Sequence, residues 1–308
     1  MTPLQPVGPS LPRTWESSDH GLDSSQIARY SRQLILPSFG VQAQARLCGA
    51  SVLVIGAGGL GSPATLYLAA AGIGRLGIVD QDVVELNNLH RQIIHSEARI
   101  GMHKAVSAGQ SCREINSSIQ VEVHTGGFKP ANALQLVQRY DIVVDASDNA
   151  PTRYLVSDAC VVAQKPLVSG AAIGTDGQLT VYCHGEEGPC YRCLFPEAPR
   201  PESCSRCADV GVLGVIPGII GSLQALEAIK LASGVGEVLS RKLLLFDGLS
   251  GRMHTVKLRA RSTTCLACGD SPALTAQTLA IYDYAAFTDV IGGLDAWSSD
   301  VDPSFPKY

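Results

Sequence analysis

Four glycines, Gly56, Gly58, Gly59 and Gly61, stand between a β-branched run and an Ala-rich segment in S-V-L-V-I-G-A-G-G-L-G-S-P-A-T-L. A glycine turn between strand and helix bends the backbone sharply and brings free N–H groups to phosphate oxygens at the helix N-terminus. Asp80 ends the next apolar run, L-G-I-V-D, near the spacing of about 20 residues at which a carboxylate meets a ribose hydroxyl. These residues mark a nucleotide site without saying which nucleotide. Next, N-N-L-H-R-Q supplies Asn87, Asn88, Arg91 and Gln92, and Lys104 follows. Two cations beside a phosphate loop suit a triphosphate, because Arg clamps phosphate oxygens bidentately and Lys adds a point charge. The run D-I-V-V-D-A-S-D-N puts Asp148 and Asn149 just past a buried strand, at the edge where open α/β sheets bind ligands. A carboxylate there can hold Mg2+ between phosphate oxygens. The same position can instead cap the helix that follows.

A second chemistry lies in three C-x-x-C pairs, Cys190/Cys193, Cys204/Cys207 and Cys265/Cys268. Two such pairs brought together make a closed, tetrahedral four-cysteine zinc site. Spacing leaves open which two. The third pair keeps a free thiol, and Cys207, ahead of the glycine-rich stretch 211–221, is the candidate. Spacing does not separate a reactive thiol there from an inert one. Cys48, Cys112, Cys160 and Cys183 sit among apolar or helical neighbours and read as core.

The elements that must position these groups follow from apolar patterning. Strands at 51–55 and 76–80 flank a helix closed by Gly72, a right-handed βαβ unit. Further strands are predicted at 120–124, 142–145, 167–169, 179–182 and 242–246, with helices at 29–36, 132–139, 152–163 and 219–232. This alternation predicts an α/β fold with a doubly wound sheet. Residues 1–23, rich in Pro and Ser, read as a disordered tail.

Composition removes several function classes. With 24 Lys and Arg against 28 Asp and Glu, the net charge of −4 excludes a strongly basic nucleic-acid binder, and no direct nucleic-acid partner is expected. The longest apolar stretch, 210–223, contains Pro217 and glycines and runs into Gln224 and Glu227, so no membrane span is expected. Pro3, Pro6, Pro9 and Pro12 occupy the place of a signal peptide's apolar run. A cytosolic chain with reduced or metal-bound cysteines is the expectation.

The ordered set R-Y-S-R-Q, G-A-G-G-L-G, L-N-N-L-H-R-Q, D-A-S-D-N, V-S-G-A-A-I-G-x-x-G-Q-L-T-V, C-Y-R-C and C-L-A-C is similar to the MoeB/ThiF family, adenylyltransferases related to ubiquitin-activating enzymes. The resemblance covers about residues 25–270 and is strongest to the eukaryotic branch that joins adenylyltransferase and sulfurtransferase functions. It implies a Rossmann-like ThiF/MoeB fold with a zinc site of four cysteines. It implies that the C-terminal Gly-Gly carboxylate of a ubiquitin-fold sulfur carrier attacks the α-phosphorus of ATP. The products would serve molybdenum-cofactor synthesis, tRNA wobble-uridine thiolation, or both. By match to the family's motifs, Gly56, Gly58, Gly59 and Gly61 lie against ATP and Asp80 binds its ribose. Asn88, Arg91, Gln92 and Lys104 hold the triphosphate, and Asp148 places Mg2+. Arg32 reaches the partner protomer's site in a homodimer. Cys190, Cys193, Cys265 and Cys268 hold Zn2+, and Cys207 attacks the adenylate or links to the carrier. The resemblance needs no catalytic histidine, and neither His90 nor His95 receives a catalytic role.

The resembled branch carries a rhodanese domain after its adenylyltransferase domain. Here residues 271–308 resemble only a linker and the last part of such a domain, which predicts adenylylation without sulfur transfer and a poorly ordered tail. Two other functions compete. One is a non-catalytic dimeric scaffold that keeps the fold. The other is an NAD-dependent oxidoreductase, disfavoured by Arg91, Lys104 and Asp148.

Overall fold

The computed structural model describes residues 21–196, 211–279 and Tyr284. Its eight strands are β1 (Ser51–Ile55), β2 (Arg75–Val79), β3 (Gln120–His124), β4 (Ile142–Asp145), β5 (Leu167–Ile173), β6 (Asp176–Tyr182), β7 (Lys242–Asp247) and β8 (Arg252–Lys257). They form one sheet in the order β3-β2-β1-β4-β5-β6-β7-β8. The first five run parallel, and β6, β7 and β8 continue antiparallel.

Strand periodicity divides the core into two layers. Val52 and Val54 of β1 face a layer built on helices Gly61–Ala71, Lys104–Ile115 and Val215–Ser233. Leu53 and Ile55 face the opposite layer, built on Pro130–Gln138 and Ala150–Ala163. A central parallel strand covered on both faces needs apolar residues at successive positions, which is why 52–55 reads as a continuous apolar run. From β1 the chain winds outward to β2 and β3, then crosses to β4 on the other side. The crevice at the carboxyl ends of β1 and β4 is therefore the topological switch point, where such sheets bind ligands.

Several boundaries differ from expectation. The helix expected at 29–36 is two short ones, Ser24–Arg29 and Ser31–Leu34. Tyr30 breaks the run: it is 3% exposed, and its hydroxyl accepts a hydrogen bond from Asn116 Nδ2 at 2.9 Å. Strand β2 stops at Val79, which leaves the Asp80 side chain free to serve the loops around it. Helices Gly40–Gly49 and Lys104–Ile115 and strand β8 were not marked by apolar patterning, since five of the six residues of β8 are exposed. Helix Val215–Ser233 is long and apolar enough to cross a membrane by length and composition. Half of it is buried in the protein, with Gln224 and Glu227 inside, so here it is the core helix that backs the sheet. Past residue 270, Leu274, Leu279 and Tyr284 still pack into the body, and the Tyr284 hydroxyl donates to Asp158 Oδ2 at 2.8 Å. The rest of the expected C-terminal remnant, and residues 1–20 of the expected tail, lie outside the described residues.

Candidate functional site

The glycine loop closes against the strand beside it. Gly56 has φ +99°, and a Cβ there would meet the Ala146 carbonyl oxygen at 2.6 Å. A Cβ on Gly61 would run into the Gly56 carbonyl. These two glycines make the turn and the close helix–strand approach. Gly58 and Gly59 are different. A Cβ on Gly58 would meet nothing nearer than Gln92 Nε2 at 3.7 Å, and one on Gly59 would touch Pro217 and Arg91. Their amides carry no hydrogen-bond partner among the described residues. They stand just ahead of the 11-residue helix Gly61–Ala71, where unpaired N–H groups and the helix dipole favour an anion.

The acidic and basic groups gather round this loop. Asp80 Oδ2 accepts from the Ala57 amide and Oδ1 from the Asp82 amide, each at 2.8 Å. Burial pushes the Asp80 carboxyl above its ordinary range, while these amides and Lys104 pull it back. Each oxygen keeps a lone pair for a ribose hydroxyl. Lys104 is buried, and its Nζ donates to Asp82 Oδ2 at 3.0 Å. Arg91 leans on Gly59 and Gly214 and donates to the Asn87 carbonyl at 3.1 Å. Gln92 is buried beside Gly58, and its Oε1 has no partner among the described residues. Asn88 is spent largely on local structure: its Oδ1 accepts from the Glu85 amide and its Nδ2 donates to Asn87 Oδ1.

Across the crevice, the two readings of the Asp148–Asn149 pair separate. Asn149 is the helix cap, its Oδ1 accepting from the Thr152 amide at 3.0 Å. Asp148 is exposed, so its carboxylate faces solvent two residues beyond the Ala146 that touches the glycine loop. Asp145 is buried and anchors this loop by accepting from the amide and hydroxyl of Ser147. Gln224 of the core helix holds the Asp145 carbonyl from behind.

Arg32 is not brought to this crevice. It is exposed on Ser31–Leu34, whose Gln33 donates to the Ala71 carbonyl at the far end of the glycine-loop helix. Eleven residues at 1.5 Å each put that end roughly 16 Å from the loop.

The cysteine question resolves to two pairs. The sulfurs of Cys190, Cys193, Cys265 and Cys268 all lie within 4.8 Å of one another. The pairs Cys190–Cys193, Cys190–Cys265 and Cys193–Cys268 are separated by 3.8, 3.6 and 3.3 Å. Four sulfurs about 2.3 Å from one tetrahedral ion stand about 3.8 Å apart, so the cluster fits such an ion. The Ser262 amide donates to Cys193 Sγ at 3.3 Å, which would help hold a thiolate. Cys112 and Cys160 are buried as expected, Cys48 and Cys183 half-buried. Cys204 and Cys207 lie outside the described residues.

Two groups at this site, Asp82 and His95, received no role from the sequence. Asp82 carries Lys104, and His95 lies under the glycine loop, its Nε2 2.9 Å from the Ala57 carbonyl and its Nδ1 2.9 Å from Ser107 Oγ. The one available signal was position: both flank the basic run between Asp80 and Lys104.

A family model described as the ThiF family matches residues 30–267. The adenylyltransferase and sulfurtransferase MOCS3 of Arabidopsis thaliana is 61% identical over 270 residues, 88% of this chain and 58% of that protein. The protein of the same name from Xenopus laevis is 54% identical over 266 residues, 86% of this chain and 58% of its own length. This chain thus spans little more than half of either relative. Among solved structures, a crystal structure of E. coli MccB with ATP is similar at a TM-score of 0.67 and 26% identity, covering 79% of this chain and 75% of that one.

Proposed function

Because this chain belongs to the ThiF family, we propose that it adenylylates the C-terminal carboxylate of a ubiquitin-fold sulfur carrier ending in Gly-Gly. The observation that carries the reading is the set of charges at the β1/β4 switch point: Arg91 and Lys104 on one side of a glycine loop with free amides, and the uncapped carboxylate of Asp148 on the other. A dinucleotide pyrophosphate needs little beyond the loop and Asp80. A triphosphate with a divalent cation accounts for all three further groups. The match to a structure holding ATP supports the same nucleotide.

In this reading the carrier carboxylate, already ionised at pH 7, forms a bond to the α-phosphorus of ATP. The bond from that phosphorus to the α–β bridging oxygen breaks, and pyrophosphate leaves with its electron pair. No proton need move, so the site requires alignment and charge neutralisation rather than a base. Gly58 and Gly59 offer amides to phosphate oxygens, Asp80 fixes the ribose, and Arg91, Gln92 and Lys104 hold the triphosphate. Asn88 shapes the turn that carries Arg91. Mg2+, placed by Asp148, would neutralise the leaving pyrophosphate. Arg32, remote from its own crevice, would serve that of a second copy, which makes the working form a homodimer. Zn2+ in the four-cysteine cluster would be structural, since four sulfurs leave no open position for substrate. Cysteines that hold a metal rather than disulfides suit the cytosol. The carrier's use in molybdenum-cofactor synthesis or tRNA thiolation is proposed from the family resemblance of the sequence motifs.

ATP–pyrophosphate exchange by the purified chain, with and without a Gly-Gly-tailed carrier, tests the proposal. Carrier-dependent exchange is expected. Tight NAD binding with neither ATP binding nor exchange would sink it.

A further inference from the structure

His95 is buried, and its two ring nitrogens face different partners. The Ala57 carbonyl can only accept, so Nε2 carries the proton and donates to it. Nδ1 is then the acceptor, and the Ser107 hydroxyl donates to it. Burial depresses the imidazole's proton affinity, with Lys104 and Arg99 adding to the effect, which favours this neutral form.

The contacts close on themselves. His95 grips the Ala57 carbonyl, while the Ala57 amide donates to Asp80 Oδ2. Asp80 Oδ1 accepts from the Asp82 amide, and Asp82 Oδ2 accepts from Lys104 Nζ. Lys104 opens helix Lys104–Ile115, and one turn along that helix Ser107 returns to His95. One ring thus joins the glycine loop, the ribose acid and the phosphate-side lysine. The Ala57 carbonyl also belongs to the same planar trans peptide as the Gly58 N–H, and the two point in opposite directions. Holding the carbonyl down toward His95 turns the Gly58 amide away from it.

We infer that His95 is a positioning residue for nucleotide binding: its neutral imidazole fixes the Ala57–Gly58 peptide so that the Gly58 amide faces the phosphates, and ties that peptide to Asp80 and Lys104. The inference rests on the ATP reading above. It does not make His95 an acid or base, and the imidazole touches no substrate.

The test compares two substitutions. The side-chain amide of Gln can reach the position of Nε2 and donate to Ala57. That of Asn falls short and can serve only the Nδ1 side. ATP affinity is measured by calorimetry on wild type, His95→Asn and His95→Gln, and exchange kinetics give KM for ATP and for the carrier separately. His95→Asn is expected to weaken ATP binding about tenfold, with the carrier KM and the rate at saturating ATP little changed. His95→Gln should recover ATP affinity to within about threefold. Should His95→Asn fail to fold, Ser107→Ala, which frees the ring, decides by a several-fold loss of ATP affinity. Wild-type affinity in His95→Asn, or equal loss in both His95 variants, would overturn the inference alone. So would an unchanged affinity in Ser107→Ala where that variant decides. A wild-type chain that binds no ATP would instead remove the reading beneath it.

Discussion

The nucleotide crevice and the cysteine cluster solve opposite problems. At the crevice the functional groups are held by few hydrogen bonds: Lys104 to Asp82, Arg91 to the Asn87 carbonyl and the His90 ring, and Asp148 to little beyond its neighbour Asn149. Such groups can exchange partners when a charged ligand arrives. Beside the first cysteine pair the charged groups Arg192 and Asp158 are buried and mutually satisfied. Arg192, inside the first C-x-x-C pair, donates to both oxygens of buried Asp158 at 2.8–3.1 Å and lies 4.8 Å over the Tyr154 ring. Tyr284 donates to the same carboxylate. The contrast teaches that charge serves binding where water can be displaced, and fixes structure where it cannot. Helix Ala150–Ala163 joins the regions, with Asn149 capping one end and Asp158 in its interior.

The largest expected effect separates them. Cys265→Ser, or removal of bound metal by a chelator, should destabilise the fold by several kcal/mol, since closed zinc sites supply on the order of 10 kcal/mol of binding free energy. Thermal melts with metal analysis read the loss, while ATP affinity per folded molecule should hold. Next, Arg192→Met strands a buried carboxylate and should cost about 3–5 kcal/mol in urea unfolding. The double variant with Asp158→Leu should recover much of it, and a double variant as unstable as the single one would refute the burial argument.

A finer test sits on adjacent residues. Asp148→Asn should lower carrier-dependent exchange on the order of 100-fold with stability unchanged within about 0.5 kcal/mol. Asn149→Ala should do the reverse, costing about 1 kcal/mol of stability while exchange falls only a few-fold. If both variants lose activity equally, binding and capping are not separable there.

The smallest effect is in pH. Burial holds His95, His124 and His184 below their ordinary value of 6.5. The unfolded chain then binds more protons than the folded one as pH falls through that value, so stability is full above about pH 6.5 and declines below it. A single histidine contributes a slope of at most about 1.4 kcal/mol per pH unit, and His124 and His184, only half-buried and screened by solvent, contribute less. Urea midpoints from pH 7.5 to 5.5 should show the decline, and His95→Gln should flatten it. A flat profile in wild type would contradict the sign.

Strands with a clear apolar pattern were legible in the chain. Strand 142–145 is legible to the residue, because a parallel strand between two helical layers buries both of its faces. Strand 120–124, at the sheet edge, is equally legible, with Val121 and Val123 turned to the core between polar neighbours. Helix Lys104–Ile115 was not marked, since K-A-V-S-A-G-Q-S buries small and polar residues that carry no strong periodic signal. Strand β8 was missed because a sheet edge in solvent needs no apolar side chains.

What the sequence by itself determined was local: a strand, a glycine turn, a helix and an acid, in the order of a nucleotide-binding βαβ unit. Those are short-range matters of backbone freedom and side-chain period. Only the tertiary structure decided which glycines close the turn and which face a ligand, because that depends on Ala146 arriving from a strand some 90 residues away. It also decided which of Asp148 and Asn149 caps a helix, and which two cysteine pairs meet. Contacts of that kind are chosen by packing across the chain, and no spacing within a motif encodes them.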